Sequence, residues 1–154
     1  MLNVLFPMML VSILCITPIE TSITSNISSY NEMVENTNPE FTEYEIQLMA
    51  NVVYAEARGE DETGKRLVAA TILNRLDRVD IFGYKNIEEV VTAPCQFYSI
   101  GYSNPECVDA VKAEISERSN TEVLWFCSTG YHSYGEKLFS HGGHYFNGYR
   151  KDDM

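Results

Sequence analysis

Asn51 to Glu60 reads NVVYAEARGE, and the rest of the domain can be placed from it. Ile46, Met49, Ala50, Val53 and Ala57 recur at helical spacing into this stretch, so a helix commits one face to a core. Gly59 then breaks the helix. Glu56 falls at the edge of the apolar face just before the break, where a carboxyl is partly withdrawn from water, as a proton donor requires. A solvated glutamate in an ordinary Glu and Arg cluster satisfies the same spacing, so spacing alone leaves both readings open.

Upstream, Thr42 followed three residues later by Glu45 forms a capping box, which starts the helix there and lets it run to about Arg58. Downstream of a turn at 59–64, Leu67, Val68, Ala70, Thr71, Ile72, Asn74 and Arg75 predict a second helix, apolar around most of its circumference and therefore buried. Asn74 and Arg75 on such a helix need internal hydrogen bonds, and fixing the first helix is their expected task. Arg78 to Lys85 reads as a loop. Asn86 with Glu89 then caps a short helix ended by Pro94. Asn104 and Pro105 open a fourth helix, with Val108, Val111 and Ile115 on one face and its end at Asn120. Glu122 to Cys127 (EVLWFC) suits a buried strand with His144 to Tyr149 (HYFNGY) as its partner, and the glycine-bearing segment between them reads as a mobile loop. The expected class is α+β, predominantly helical with a small C-terminal β element.

A length of 154 residues suits one domain with a real core. The formal net charge of −11 argues against nucleic acid as a partner. Leu2 to Ile16 is apolar and interrupted by Pro7, and it falls short of the roughly 20 residues a membrane-spanning helix needs. Residues 1–19 therefore read as a signal peptide or N-terminal anchor, with a membrane tether as the alternative to cleavage. Residues 20–41, rich in Ser, Thr and Asn, read as a flexible tether, and 42–154 as the domain. Such a chain is expected to be secreted or associated with the cell envelope. Cys15 would leave with the leader. Of Cys95, Cys107 and Cys127, the first two bracket a short loop and are expected to be bridged, the alternative being three buried thiols.

Asn51 to Glu60, Val68 to Arg75 (VAATILNR), Pro94 to Phe97 (PCQF) and Val123 to Phe126 (VLWF) stand in an order and spacing that resembles the SleB/CwlJ-like cell wall hydrolases. These are peptidoglycan-cleaving enzymes known from spore germination. The resemblance spans roughly Glu43 to Tyr149 and implies a lysozyme-like helical domain acting on glycan strands without a cofactor. It also implies that Glu56, the first Glu of the EARGE block, is the catalytic acid, and that Gln96 and Phe97 line the glycan groove. An amide can both donate to and accept from an N-acetyl group, and an aromatic face stacks on a pyranose. Tyr98, Tyr102, Tyr145 and Tyr149 are further stacking candidates, whereas core packing is the plain alternative for Phe97. Glu60 has an expected supporting part, pairing with Arg58 or capping the second helix. As the second carboxylate of a hydrolytic pair it is poorly placed, because such a pair must flank the sugar from opposite faces.

Three readings compete. The resemblance implies a lytic transglycosylase, in which one carboxyl serves as acid and then base while the substrate's own hydroxyl attacks. A metal-dependent wall amidase could be built on His141 and His144, although two histidines three residues apart supply only half of a zinc site, so no metal is expected. A wall-binding module without catalysis is the third. On the first reading, an acidic domain working on an anionic wall is repelled at long range. The initial rate of digestion of intact walls is then expected to rise as salt is first added, compared with walls stripped of anionic polymers. A rate falling steadily from the lowest salt would show that Arg58, Lys65, Arg66, Arg75 and Arg78 form a basic rim that outweighs the net charge.

Overall fold

The structure, a computed structural model, describes residues 41–98 and 101–150. The leader at 1–19 and nearly all of the 20–41 tether lie outside the described residues. Among the described residues, five helices are followed by three strands: α1 (Glu43–Ala57), α2 (Glu62–Asp77), α3 (Val79–Phe82), α4 (Ile87–Thr92), α5 (Pro105–Glu117), β1 (Val123–Cys127), β2 (Glu136–His141) and β3 (His144–Gly148). Helix starts are set by side chains that occupy otherwise unpaired backbone N–H groups. Thr42 Oγ1 accepts from Glu45 N while Glu45 Oε2 accepts from Thr42 N. Asn86 and Asn104 cap α4 and α5 in the same way, through Glu89 N and Cys107 N. The second helix starts inside the expected turn, because Asp61 accepts from Gly64 N at 2.8 Å and caps it there. The expected loop at 78–85 contains one further helical turn, α3, closed by Gly83 at φ +74°.

Helix α2 is the axis of the domain, with every residue from Leu67 to Arg75 buried. One side, with Val68, Ala69, Ile72 and Leu73, joins Met49, Val52 and Val53 of α1, Ile87 and Val90 of α4, and Val111 of α5. The other side, with Leu67 and Ala70, packs on Val123 and Phe146 of the sheet. The sheet is antiparallel in the order β1-β3-β2. The middle strand β3 thus pairs with β1, as the sequence suggests, but also with β2, which the sequence reads as part of a mobile loop.

Both pairings are bulged, between Val123 and Trp125 in β1 and between Lys137 and Phe139 in β2. A bulge sets two residues of one strand against one of its partner, so neighbours can pack the same way and the period-2 signal is lost. Val123 and Leu124 are both buried. Leu138 and Phe139 both pack on the cluster around Phe146. The remaining loop, 128–135, is fastened by Asn147, which is fully buried. Its Oδ1 accepts from His132 N, and its Nδ2 donates to His132 O and Tyr134 O.

The expected bridge between Cys95 and Cys107 is absent, and all three described cysteines are free thiols. Helical spacing puts Cys107 on the buried face of α5 with Ala110, Val111 and Glu114, pointing into the core, while Cys95 is exposed on the loop after α4. Burial pushes the Cys107 thiol up.

Glu114 shares that buried face at 1% exposure. It accepts from Arg66 Nε and Nη2 at 3.1 Å, from Ser119 Oγ at 2.6 Å and from Asn120 N at 3.2 Å. Arg66 also reaches Glu117 at 2.8 Å. Glu114→Ala leaves Arg66 with the exposed Glu117 as its remaining ion-pair partner and unties Ser119 and Asn120 at the α5–β1 connection, and is expected to cost about 3 kcal/mol of stability, read from the urea midpoint. A loss below about 0.5 kcal/mol, the usual size for a surface change, would mean that Glu117 alone holds Arg66.

Candidate active site

Glu56 lies in the last turn of α1, half-buried, and its Oε1 accepts a hydrogen bond from Tyr98 N at 2.6 Å. No hydrogen bond holds Oε2 among the described residues. The contact to Tyr98 ties the helix end to the segment after α4, and that segment is shaped from beneath by Arg75. Arg75 Nη1 donates to Gln96 Oε1 at 2.8 Å, its Nε donates to Leu124 O at 2.7 Å, and its guanidinium lies 4.6 Å from the Phe97 ring centroid. A second ring, Phe82, lies 5.5 Å away. Burial lowers the Arg75 guanidinium to about 10, so it stays charged at neutral pH.

Phe97 continues into an aromatic wall. Its ring centroid is 6.2 Å from that of Phe126, which is 5.0 Å from the His144 ring, set edge-on. His144 is buried and its Nδ1 has no hydrogen-bond partner. On the opposite face of β3, Tyr145 is partly exposed and meets Tyr131 edge-on at 5.1 Å. Tyr98 is the most exposed aromatic residue among the described residues, at 76%.

The expected site residues thus separate. Glu56, Gln96, Phe97 and Tyr98 come together through the two hydrogen bonds and the Arg75 stack. Gln96 has its carbonyl oxygen committed to Arg75, and Phe97 is half-buried against Arg75 and Phe126. Tyr149 stacks under Arg78 at 4.4 Å, and Tyr102 meets Tyr54 edge-on at 5.1 Å. Asn74 and Arg75 do make the internal bonds a buried helix needs, but not to α1. Asn74 Nδ2 donates to Asn120 O and Val123 O, so the pair fastens β1 and the 96–98 segment to the axial helix instead.

Glu60 neither pairs with Arg58 nor caps α2, since Asp61 does the capping. Its oxygens accept from Gly143 N at 3.1 and 3.3 Å, at the tip of the β2–β3 hairpin. Beside it, Asp61 Oδ1 lies 2.8 Å from His141 Nε2. Sequence reasoning passed over Asp61, although Asp three residues before Gly64 is an N-cap signal, and over Phe126 as a wall residue, for which a run such as VLWF carries no facing information. Among the described residues, no three His, Cys, Asp or Glu side chains are grouped to hold a metal ion. The supposed basic rim is also largely spent. Lys65, Arg66 and Arg78 are ion-paired with Glu106, Glu114 and Asp80, and Arg75 is buried.

One half-buried glutamate closing a helix, an aromatic floor beside it and a small three-stranded sheet alongside give a predominantly helical, lysozyme-like α+β domain. The chain belongs to the cell wall hydrolase family, whose profile matches residues 59–147, more than half of its length. It is similar in structure to the catalytic domain of the germination-specific lytic transglycosylase SleB from Bacillus anthracis, with a TM-score of 0.61 and 25% identity over 72% of this chain and 99% of that one. The catalytic domain of the Bacillus cereus SleB protein gives 0.61 and 27% over 70% and 91%. Spore cortex-lytic enzymes match over shorter stretches. That of Halalkalibacterium halodurans is 39% identical over 69 residues, 45% of this chain and 20% of that protein. That of Oceanobacillus iheyensis is 60% identical over 37 residues, 24% and 13%. The chain therefore spans a fifth or less of the length of these curated relatives.

Arg75→Lys tests the floor of the site. A lysine cannot bond Leu124 O and Gln96 Oε1 together while stacking on Phe97. Displacement of the 96–98 segment is expected to lower the cleavage rate by about 10- to 100-fold. Wild-type kinetics in the folded variant would show that the segment keeps its place without the guanidinium.

Proposed function

We propose that this domain cleaves the glycan strands of peptidoglycan at the MurNAc-GlcNAc linkage as a lytic transglycosylase, with Glu56 as the only acid and base. The observation that carries this is the different state of the two nearby carboxylates. Glu56 has one oxygen bonded and one open, whereas Glu60 is taken up by the hairpin tip. A hydrolytic mechanism asks for a second carboxylate on the far face of the sugar. A single carboxyl suffices if the substrate supplies the nucleophile.

In that reaction protonated Glu56 gives its proton to the glycosidic oxygen, the C1–O bond breaks, and an oxocarbenium-like carbon forms. The C6 hydroxyl of the same sugar attacks that carbon, and the Glu56 carboxylate takes the hydroxyl's proton. The products are a 1,6-anhydro end and a free hydroxyl on the leaving sugar, with Glu56 returned to its starting state and no water consumed. Gln96, Phe97 and Tyr98 line the substrate path beside Glu56, Tyr145 lies away from it against Tyr131, and no cofactor enters. The apolar leader supports action outside the membrane, in the secreted state or tethered to the envelope.

Glu56→Gln keeps the shape and an acceptor for Tyr98 N but cannot pass a proton. It is expected to lower digestion of purified peptidoglycan by about 100-fold or more with little change in the urea midpoint. Mass analysis of wild-type products should show anhydro-muramic ends. New reducing ends would replace transglycosylation with hydrolysis, freed stem peptides would point to an amidase, and activity within tenfold of wild type in the folded variant would remove Glu56 from the reaction.

A further inference from the structure

We propose that Glu60 is a positioning residue that, with Asp61, clasps the tip of the β2–β3 hairpin and so fixes the sheet against the helix end carrying Glu56. The role rests on the proposed cleavage at Glu56 but concerns a separate contact. Three glycines make room for the Glu60 side chain. A Cβ on Gly64 would lie 2.7 Å from Glu60 Cβ, one on Gly143 would lie 3.1 Å from Oε1, and one on Gly142 would fall on Oε2 itself. Gly142 also takes φ +53°, the left-handed conformation a two-residue hairpin loop needs at its first position. Helix and hairpin are thus cut to the shape of one carboxylate.

The bonding is equally specific. Gly143 N donates to both Glu60 oxygens, a charge-assisted contact between segments 83 residues apart in the chain. Asp61 adds the second point. An ionised carboxylate only accepts, so His141 Nε2 donates to Asp61 Oδ1, the same oxygen that receives Gly64 N at the start of α2. The Gly64 amide first, and His141 second, hold the Asp61 carboxyl below its ordinary range. The clasp therefore joins the α1–α2 turn to both strands of the hairpin, through His141 at the end of β2 and Gly143 just before β3. The residues directly after the clasp are His144, in the aromatic wall with Phe126, and the exposed Tyr145. Releasing Glu60 lets this edge of the site drift while Glu56 and its bond to Tyr98 stay intact.

The test uses the full chain with Glu60→Ala, Glu60→Gln, Gly142→Ala and the Glu60→Ala/Gly142→Ala double variant. Amide hydrogen exchange reports on the hairpin, and steady-state kinetics on solubilised glycan strands report on the site. Glu60→Ala is expected to speed exchange at residues 142–144 by about tenfold or more while α1 and α2 keep their protection. It should raise KM by about tenfold with kcat within about threefold, since binding is loosened and the acid is untouched. Glu60→Gln retains an acceptor and should fall between. Gly142→Ala in the native background should match Glu60→Ala, and its effect should shrink in the double variant, where the carboxylate it would strike is gone.

A collapse of kcat at unchanged KM in Glu60→Ala would make Glu60 a participant in the reaction and overturn the proposal. Unchanged exchange at 142–144, or strict additivity of the two substitutions, would overturn it as well. If Glu60→Ala does not fold, Glu60→Gln and Gly142→Ala carry the same readouts. If no variant or wild-type chain cleaves glycan, the cleavage reading fails alone, because exchange and the double-variant coupling still decide the clasp.

Discussion

The structure depends on keeping a helix buried along its whole working length. With Leu67 to Arg75 enclosed by helices on one side and sheet on the other, α2 can present no solvated face, yet it carries Asn74 and Arg75. A buried amide or guanidinium without partners costs far more than its bonds return when made. Asn74 meets the demand by donating to Asn120 O and Val123 O, and Arg75 by donating to Leu124 O and Gln96 Oε1. These acceptors belong to the start of the sheet and the floor of the candidate site. The need to satisfy two polar side chains on an axial helix thus decides where β1 begins and where residues 96–98 lie.

The same arrangement explains how a short segment without regular structure can serve a site. Cys95 sits at φ +60°, a conformation a non-glycine residue rarely takes, and Gln96 N donates to Ala93 O as the chain turns back. Alone such a turn would be soft. Here the Arg75 stack under Phe97, the Gln96 bond and the Tyr98 amide on Glu56 hold it at three successive residues.

Legibility in the sequence followed the range of the interaction. The caps at Thr42, Asn86 and Asn104 are three-residue signals and place helix starts to the residue. The all-round apolar pattern of α2 correctly marks it as buried. Strand β2 was hidden because its bulge puts Leu138 and Phe139 on one cluster, which breaks the alternation that announces a strand. The Cys95–Cys107 pairing failed for a related reason. Closeness in sequence says nothing of direction, and the face that Cys107 shares with Val111 turns its thiol inward. The destinations of Asn74, Arg75 and Glu60 lie 21 to 83 residues away, and no local pattern encodes such a pairing.

Glu56 and Glu60 show how position separates two identical side chains. Within one continuous helix they would be neighbours on the same face, one turn apart. The helix instead ends at Ala57, and Glu60 N donates to Ala57 O as the backbone leaves the helical path through Gly59. Glu60 is thereby carried to the hairpin and given an amide partner, while Glu56 remains on the helix with an open oxygen. The break at Gly59 therefore shapes the candidate site, because it turns two equivalent carboxylates into one with an open oxygen beside Tyr98 and one bound to the scaffold.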